Sequence, residues 1–195
     1  MPTTDYHFID KWRVAADVTE VADIIEDALS LPRWWPSVYF EVKEIEPAGA
    51  GGVGKLISLR ARGWLPYTLR INFRTTESRY PNGFTMAATG DLEGTGIWIF
   101  EQDGSDVDIT YDWTIAANKP IIRSLSFLLK PIFRANHNWT MKRGEESLKL
   151  ELLRRRATTT EDAARIPPPP GPAFPLNLFV MKGVSGGSRA LGILP

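Results

Sequence analysis

Few side chains in this sequence can do acid–base or nucleophilic chemistry. Cysteine is absent, and the only histidines are His7 and His137. Without cysteine there is neither a thiolate nucleophile nor a disulfide. A metal site would need both histidines plus carboxylates from distant elements, because no H-x-x-x-H or H-x-x-E-H spacing occurs; no metal is expected. His137 is the better candidate for a role. It can hydrogen-bond a ligand carbonyl or hydroxyl, or act as a general base near neutral pH. Tyr111 is the other weak catalytic candidate. The plainer reading of His137 is a helix histidine bonded to a neighbouring strand, or simply exposed. No nucleophile–base–acid set is visible.

Two further patterns invite chemistry and fail on context. Gly49, Gly51 and Gly54 satisfy G-x-G-x-x-G, and Gly49, Gly54 and Lys55 satisfy most of a phosphate-binding loop. Both motifs need a helix after the loop, since its first N–H groups bind the phosphates. Here Lys55 to Arg62 alternates like a strand, and Leu56 replaces the magnesium-binding hydroxyl, so a hairpin loop is expected and no cofactor. Asp91 and Glu93 stand two apart among glycines. Paired carboxylates serve acid–base catalysis, but carboxylates beside Gly90 and Gly94 read as turn formers at a solvated rim.

The strongest signal for a site is different in kind. Asn136 and Thr140 lie four apart and share a helix face, with Ile132 and Phe133 one turn before and Gly144 one turn after. A glycine there costs about 1 kcal/mol relative to alanine, so a close sheet residue or a bend is expected to compensate. A polar pair inside an apolar stripe suits a helix that covers a cavity. Trp64, Tyr67, Trp98, Tyr111, Trp113 and Phe133 could wall it, with Asn136, His137 and Thr140 as polar handles. These nine are the candidate ligand-binding residues, subject to strand register.

The elements that must position them follow from periodicity. Tyr6, Phe8, Trp12 and Val14 alternate with His7, Asp10 and Lys11 among the polar positions, giving a first strand. Thr19 is placed to cap a helix with Val21, Ile24, Ile25 and Leu29 on its apolar face, and Pro32 starts a second short turn. Six strand-like segments follow, near 38–43, 53–62, 67–79, 84–89, 97–100 and 107–115. Val53, Ile57 and Leu59 oppose Ser58, Arg60 and Arg62, and Ile97–Phe100 is apolar on both faces. Turn signals separate the segments, including Pro81-Asn82-Gly83 and Gly94–Gly96. Last comes a helix from Pro120 to Arg156, with Leu125, Leu128, Leu129, Ile132, Phe133, Met141, Leu148 and Leu152 at helical spacing. Strands joined by short turns form an antiparallel sheet, and only the late helix is long enough to cover it. The expected fold is α+β: a curved antiparallel sheet of about seven strands wrapped around a long C-terminal helix, with two short helices between strands 1 and 2.

That order, with the Val14-to-Leu29 joint, Leu31-Pro32-Arg33-Trp34-Trp35-Pro36, Gly90-Asp91-Leu92-Glu93-Gly94, and Asn136-His137-Asn138-Trp139 followed by Gly144-Glu145, resembles the START-like, Bet v 1-like (SRPBCC) superfamily. This superfamily includes polyketide cyclases and lipid-transfer proteins. The resemblance covers about residues 6–156 and implies a helix-grip domain. It does not imply one activity, since the fold hosts carriers, cyclases, hydrolases and receptors.

After Arg156 the composition shifts. Thr158 to Asp162 can cap one helical turn, and Pro167 to Pro170 reads as polyproline II. Residues 157–195 are read as a flexible Pro/Gly-rich tail, or a segment that docks on the domain. A formal net charge of zero gives no electrostatic case for nucleic acid. Arg154-Arg155-Arg156 complements a helix dipole. No apolar run approaches the ~20 residues of a membrane span, and Met1 to Asp5 lacks a leader's basic start, so a cytoplasmic location is expected. Three functions remain open: a carrier or sensor for a hydrophobic small molecule (lipid, isoprenoid, aromatic or polyketide-like), a cyclase or dehydratase using the same cavity, or an interaction module with a filled core. Cavity volume separates the third from the others.

Overall fold

In β1 (Asp5–Ala15) the alternating residues Phe8, Trp12 and Val14 turn inward and are buried. The computed structural model describes the backbone of residues 5–117 and 120–173, and the side chains of 6–116 and 130–173. The chain leaves β1 into α1 (Val18–Ile25). Asp17, two residues before the expected Thr19, is the cap. Its carboxylate accepts from Thr19 N, and Glu20 closes the capping box by accepting from Asp17 N. Val21, Ala22, Ile24 and Ile25 form the buried face. Leu29, expected on that face, is exposed because the helix has already ended. A 3-10 turn (Ala28–Ser30) and α2 (Leu31–Trp34) complete the two short helices.

The remaining strands are β2 (Tyr39–Glu46), β3 (Leu56–Ala61), β4 (Leu69–Ser78), β5 (Gly83–Gly90), β6 (Leu92–Asp103) and β7 (Asp106–Ala117). All pair antiparallel in one seven-stranded sheet of order β1-β7-β6-β5-β4-β3-β2. The Gly-rich loop joins β2 to β3 and leads into a strand. Gly94–Gly96, expected as a turn, lies inside β6, and the β5–β6 turn sits instead at Asp91. The missing side chains serve close approach rather than a bend: a Cβ on Gly96 would stand 2.8 Å from the Met86 methyl and 2.9 Å from the Trp113 ring. β6 is also one-sided, with Trp98 and Phe100 buried and Ile99 exposed.

The long helix α3 (Pro120–Arg156) crosses the concave face. From Met141 onward it is packed tightly: Leu148 and Leu152 are buried with α1 and α2, each worth about 2–3 kcal/mol of apolar transfer. Gly144 belongs to this stretch. Its compensating neighbour is a ring from α2's end rather than a sheet residue, with Trp35 lying where a Cβ would project. Glu151, almost wholly buried, accepts two 2.8 Å bonds from Arg33 and one of 3.0 Å from Arg155. Between Phe133 and Thr140 the helix is only half-buried, and Ile132 is exposed where the apolar stripe placed it inward. The stripe residues Leu125, Leu128 and Leu129 lie outside the described side chains. A short α4 (Thr160–Arg165), capped by Thr159, follows, and Arg154 donates to Pro167 O. The apolar patch of the tail, at Leu176 to Met181, lies outside the described residues.

Candidate functional site

Where α3 rises off the sheet, the space beneath it is a cavity of about 140 Å³. Its floor is the concave face of β1, β2, β3, β4, β6 and β7, and its roof is Phe133, Asn136, His137, Thr140 and Met141. The volume is close to the roughly 150 Å³ of an engineered protein cavity that takes benzene. It is well below the ~300–1,000 Å³ of drug-sized pockets.

Of the nine candidate residues, Tyr67, Tyr111, Trp113, Phe133, Asn136, His137 and Thr140 stand on this wall. Trp98 does not. It lies behind Tyr111, ring stacked on ring at 4.1 Å, and faces a second, smaller void. Trp64 is half-buried in the β3–β4 connection and borders neither space.

The polar handles are already engaged. Asn136 Oδ1 accepts from Leu65 N at 3.1 Å, holding the β3–β4 connection so closely that Gly63 has no room for a Cβ. Thr140 Oγ1 donates back to Asn136 O, the usual bond of a helix threonine. His137 Nε2 donates to Asp10 Oδ2 at 2.6 Å, and its ring stacks on Phe8 at 4.0 Å. The imidazole is therefore fixed in orientation between helix and edge strand. A carboxylate oxygen can only accept, so the proton of this bond is carried by Nε2.

Three features lie beyond the sequence reading. The pattern groups Asp10 with the polar positions of β1, yet it shares parity with Phe8 and Trp12 and so turns inward. Strict counting by two finds it. Arg62 is expected on the outer face with Ser58 and Arg60. β3 ends at Ala61, alternation stops there, and Arg62 is buried on the cavity wall, its N–H bonded to Val38 O. No local signal marks that break.

The third is the gathering of phenols. Tyr6, Tyr39, Tyr67 and Tyr111, four of the chain's five tyrosines, line the one cavity. Burial pushes the Tyr39 and Tyr67 hydroxyls up to about 12 and raises Tyr6. Tyr111 is raised well above the ordinary phenol value by burial, with Tyr39 and Asp10 adding to it. All four remain protonated near neutrality and can donate hydrogen bonds. The Tyr6 hydroxyl is buried with no partner among the described residues.

His7 and the acidic pair stand apart from this. His7 is on the convex face and bonds Asp112 at 2.9 Å. Asp91 Oδ2 accepts from Arg70 N at the β4 end, and Glu93 is exposed. Among the described residues no group of three or more His, Asp or Glu is arranged to hold a metal ion. No described helix is long and apolar enough to cross a membrane.

Solved structures share this architecture at low identity. A protein from Thermus thermophilus superposes with a TM-score of 0.62 at 16% identity, over 78% of this chain and 100% of its own. The Zhui aromatase/cyclase from Streptomyces sp. R1128 gives 0.63 at 14%, over 79% and 97%. A START superfamily protein from Mycobacterium smegmatis gives 0.60 at 11%, over 75% and 96%. No protein-family model and no curated protein sequence matches the chain. At these identities the likeness carries the fold: the expected helix-grip α+β architecture, common to START-like and aromatase/cyclase structures, is the one this chain adopts.

Proposed function

We propose that this helix-grip chain binds a compact, largely apolar molecule of about one aromatic ring, bearing an acceptor oxygen, beneath the middle of α3. The observation that carries the reading is the cavity of about 140 Å³, walled by aromatic rings and supplied with four protonated phenols and Arg62. Apolar walls provide affinity, and a few converging donors fix orientation. The volume favours a single ring over a long acyl chain, so of the ligand classes open at the outset the aromatic one fits best. The test is a titration with acetophenone and toluene, followed by calorimetry and by quenching of tryptophan fluorescence, since Trp113 lines the wall. Both should bind saturably at one site. Tyr6→Phe should weaken acetophenone roughly three- to tenfold, the worth of one net hydrogen bond, and leave toluene unchanged. Absence of saturable binding by either probe would sink the reading.

A second reading, an enzyme of the cyclase or dehydratase kind, has one observation in its favour. His137 stands on the cavity wall, its ring held by the bond from Nε2 to Asp10. A base held against a bound ketone could remove an adjacent proton. Once a substrate is found, His137→Ala should abolish turnover and leave most of the binding. An unchanged rate would remove His137 as the base.

A further inference from the structure

Three rings, Tyr39, Phe73 and Tyr111, line the main cavity on one side and a second void of about 70 Å³ on the other. They form a partition. Tyr111 is fixed by stacking between Trp98, at 4.1 Å, and Trp113, at 5.7 Å. Tyr39 meets Trp35 edge-on at 5.1 Å. Phe73 meets Trp113 edge-on at 5.8 Å. Beyond the partition the wall includes Trp34, Trp35 and Trp98, with Glu26 and Lys55 as its charged members.

Glu26 is badly placed for stability. It is the C-cap of α1, at the negative end of the helix dipole. One carboxyl oxygen, Oε1, is buried without a hydrogen-bond partner among the described residues. Burial pushes this carboxyl up from the ordinary value, and Asp23 adds to the rise while Lys55 opposes it. Trp34 Nε1 and Trp35 Nε1, in the same wall, are likewise buried and unpartnered among the described residues. A residue that breaks helix, burial and hydrogen-bond rules together is expected at functional or strained positions.

We propose that the second void receives the hydroxyl end of the ligand whose ring occupies the main cavity, with Glu26 as the group that binds it. This rests on the ring-binding reading above. A hydroxyl is the group that fits: it donates to the orphan carboxyl oxygen and can also accept from an indole N–H. An ammonium would meet Lys55, and a carboxylate would meet Glu26. The ligand class is therefore a single ring carrying a short arm with a terminal alcohol, threaded between the three partition rings.

The test is a paired series on the full chain: benzyl alcohol, 2-phenylethanol, 3-phenylpropanol and 4-phenylbutanol against the alkylbenzenes of equal arm length. Benzyl alcohol, whose hydroxyl stops short of the partition, should gain over toluene only what the Tyr6 hydroxyl can donate, a gain that Tyr6→Phe removes and Glu26→Leu does not. Beyond a threshold arm length the alcohols should bind roughly three- to tenfold more tightly than their hydrocarbon partners. Glu26→Leu should erase that difference and leave toluene affinity unchanged. The variant should fold and melt higher than wild type, because it removes an unpaired buried carboxyl from a helix C-terminus. Glu26→Gln, which keeps an acceptor, should retain part of the gain. If toluene fails to bind, the ring-binding reading falls. If toluene binds but alcohols and hydrocarbons are equal at every length, the void holds ordered water only and this inference is overturned. The wild-type series decides the matter even if a variant misfolds.

Discussion

Gly144→Ala isolates the contact between the rigid half of α3 and α2. On an open helix face the substitution would stabilise the protein by about 1 kcal/mol. Here an ideal Cβ would stand 2.3 Å from Trp35 Cζ2 and 2.6 Å from Cη2. Ordinary contact begins near 3.4 Å, so the ring must retreat by roughly 1 Å. Trp35 has little freedom, being buried against Trp12, Trp34 and Tyr39 with ring centroids at 5.6, 5.5 and 5.1 Å. Overpacking of this kind costs about 1–3 kcal/mol, with the upper half expected for an indole held on three sides. After the helix gain is subtracted, the net loss is about 1–2 kcal/mol. For a chain of this length that lowers the melting temperature by roughly 3–6 °C. Equilibrium urea unfolding followed by tryptophan fluorescence, with calorimetry in parallel, measures it. Gly171, whose Cβ would meet nothing within 4 Å, provides the control, and Gly171→Ala should be neutral. Trp35 also borders the second void, so its displacement should blunt the preference for long-armed alcohols. A Gly144→Ala protein as stable as wild type, or more so, would refute the account of the α2–α3 contact.

Two further outcomes follow from the same geometry. Asn136→Ala removes the acceptor for Leu65 N and should speed hydrogen exchange at that amide, with a stability loss of about 1 kcal/mol; an amide still protected to the same degree would refute the role of Asn136. Acid should loosen the corner where α1, α2 and α3 meet. The Glu20 carboxyl, bonded to Arg156, is held at about 2 against an ordinary 4.5. Glu151 is lowered too: burial alone would raise it, but the bonds from Arg33 and Arg155 outweigh that. A lowered folded-state value means stability fully present above the unfolded value and lost as pH falls through the folded one. Melting temperature should therefore drop between pH 4.5 and about 2, and Glu20→Gln should flatten part of that slope.

The fold was legible because its determinants are local and repeated. Alternation in β1 and β7, turn residues between strands and one long helical period leave few other arrangements. The site was legible only in part. Tyr111 and Trp113 could be placed because each sits in a strand whose inward face follows from parity, and His137 because it adjoins the Asn136–Thr140 face of a regular helix. Arg62 could not, since it points inward only where β3 gives out. Trp98 reads as sharing the space of Tyr111 because both are inward aromatics, and only the stacking of one ring behind the other separates their surroundings. Asn136 and Thr140 stand out in the sequence as polar residues in an apolar stripe. Whether such groups face a ligand or satisfy the backbone depends on contacts 71 residues apart in sequence, as between Leu65 and Asn136.

Asn136 and His137 are consecutive residues, yet they grip separate parts of the sheet: one the β3–β4 connection, the other edge strand β1. Both fastenings sit on a single turn of α3, so a rise of that turn would strain them together. For an occupant beneath the helix, dwell time would then depend on how often this one turn lets go, and much less on how tightly the walls fit. Weakening either bond alone should shorten occupancy more than it lowers affinity, because arrival and departure would both accelerate.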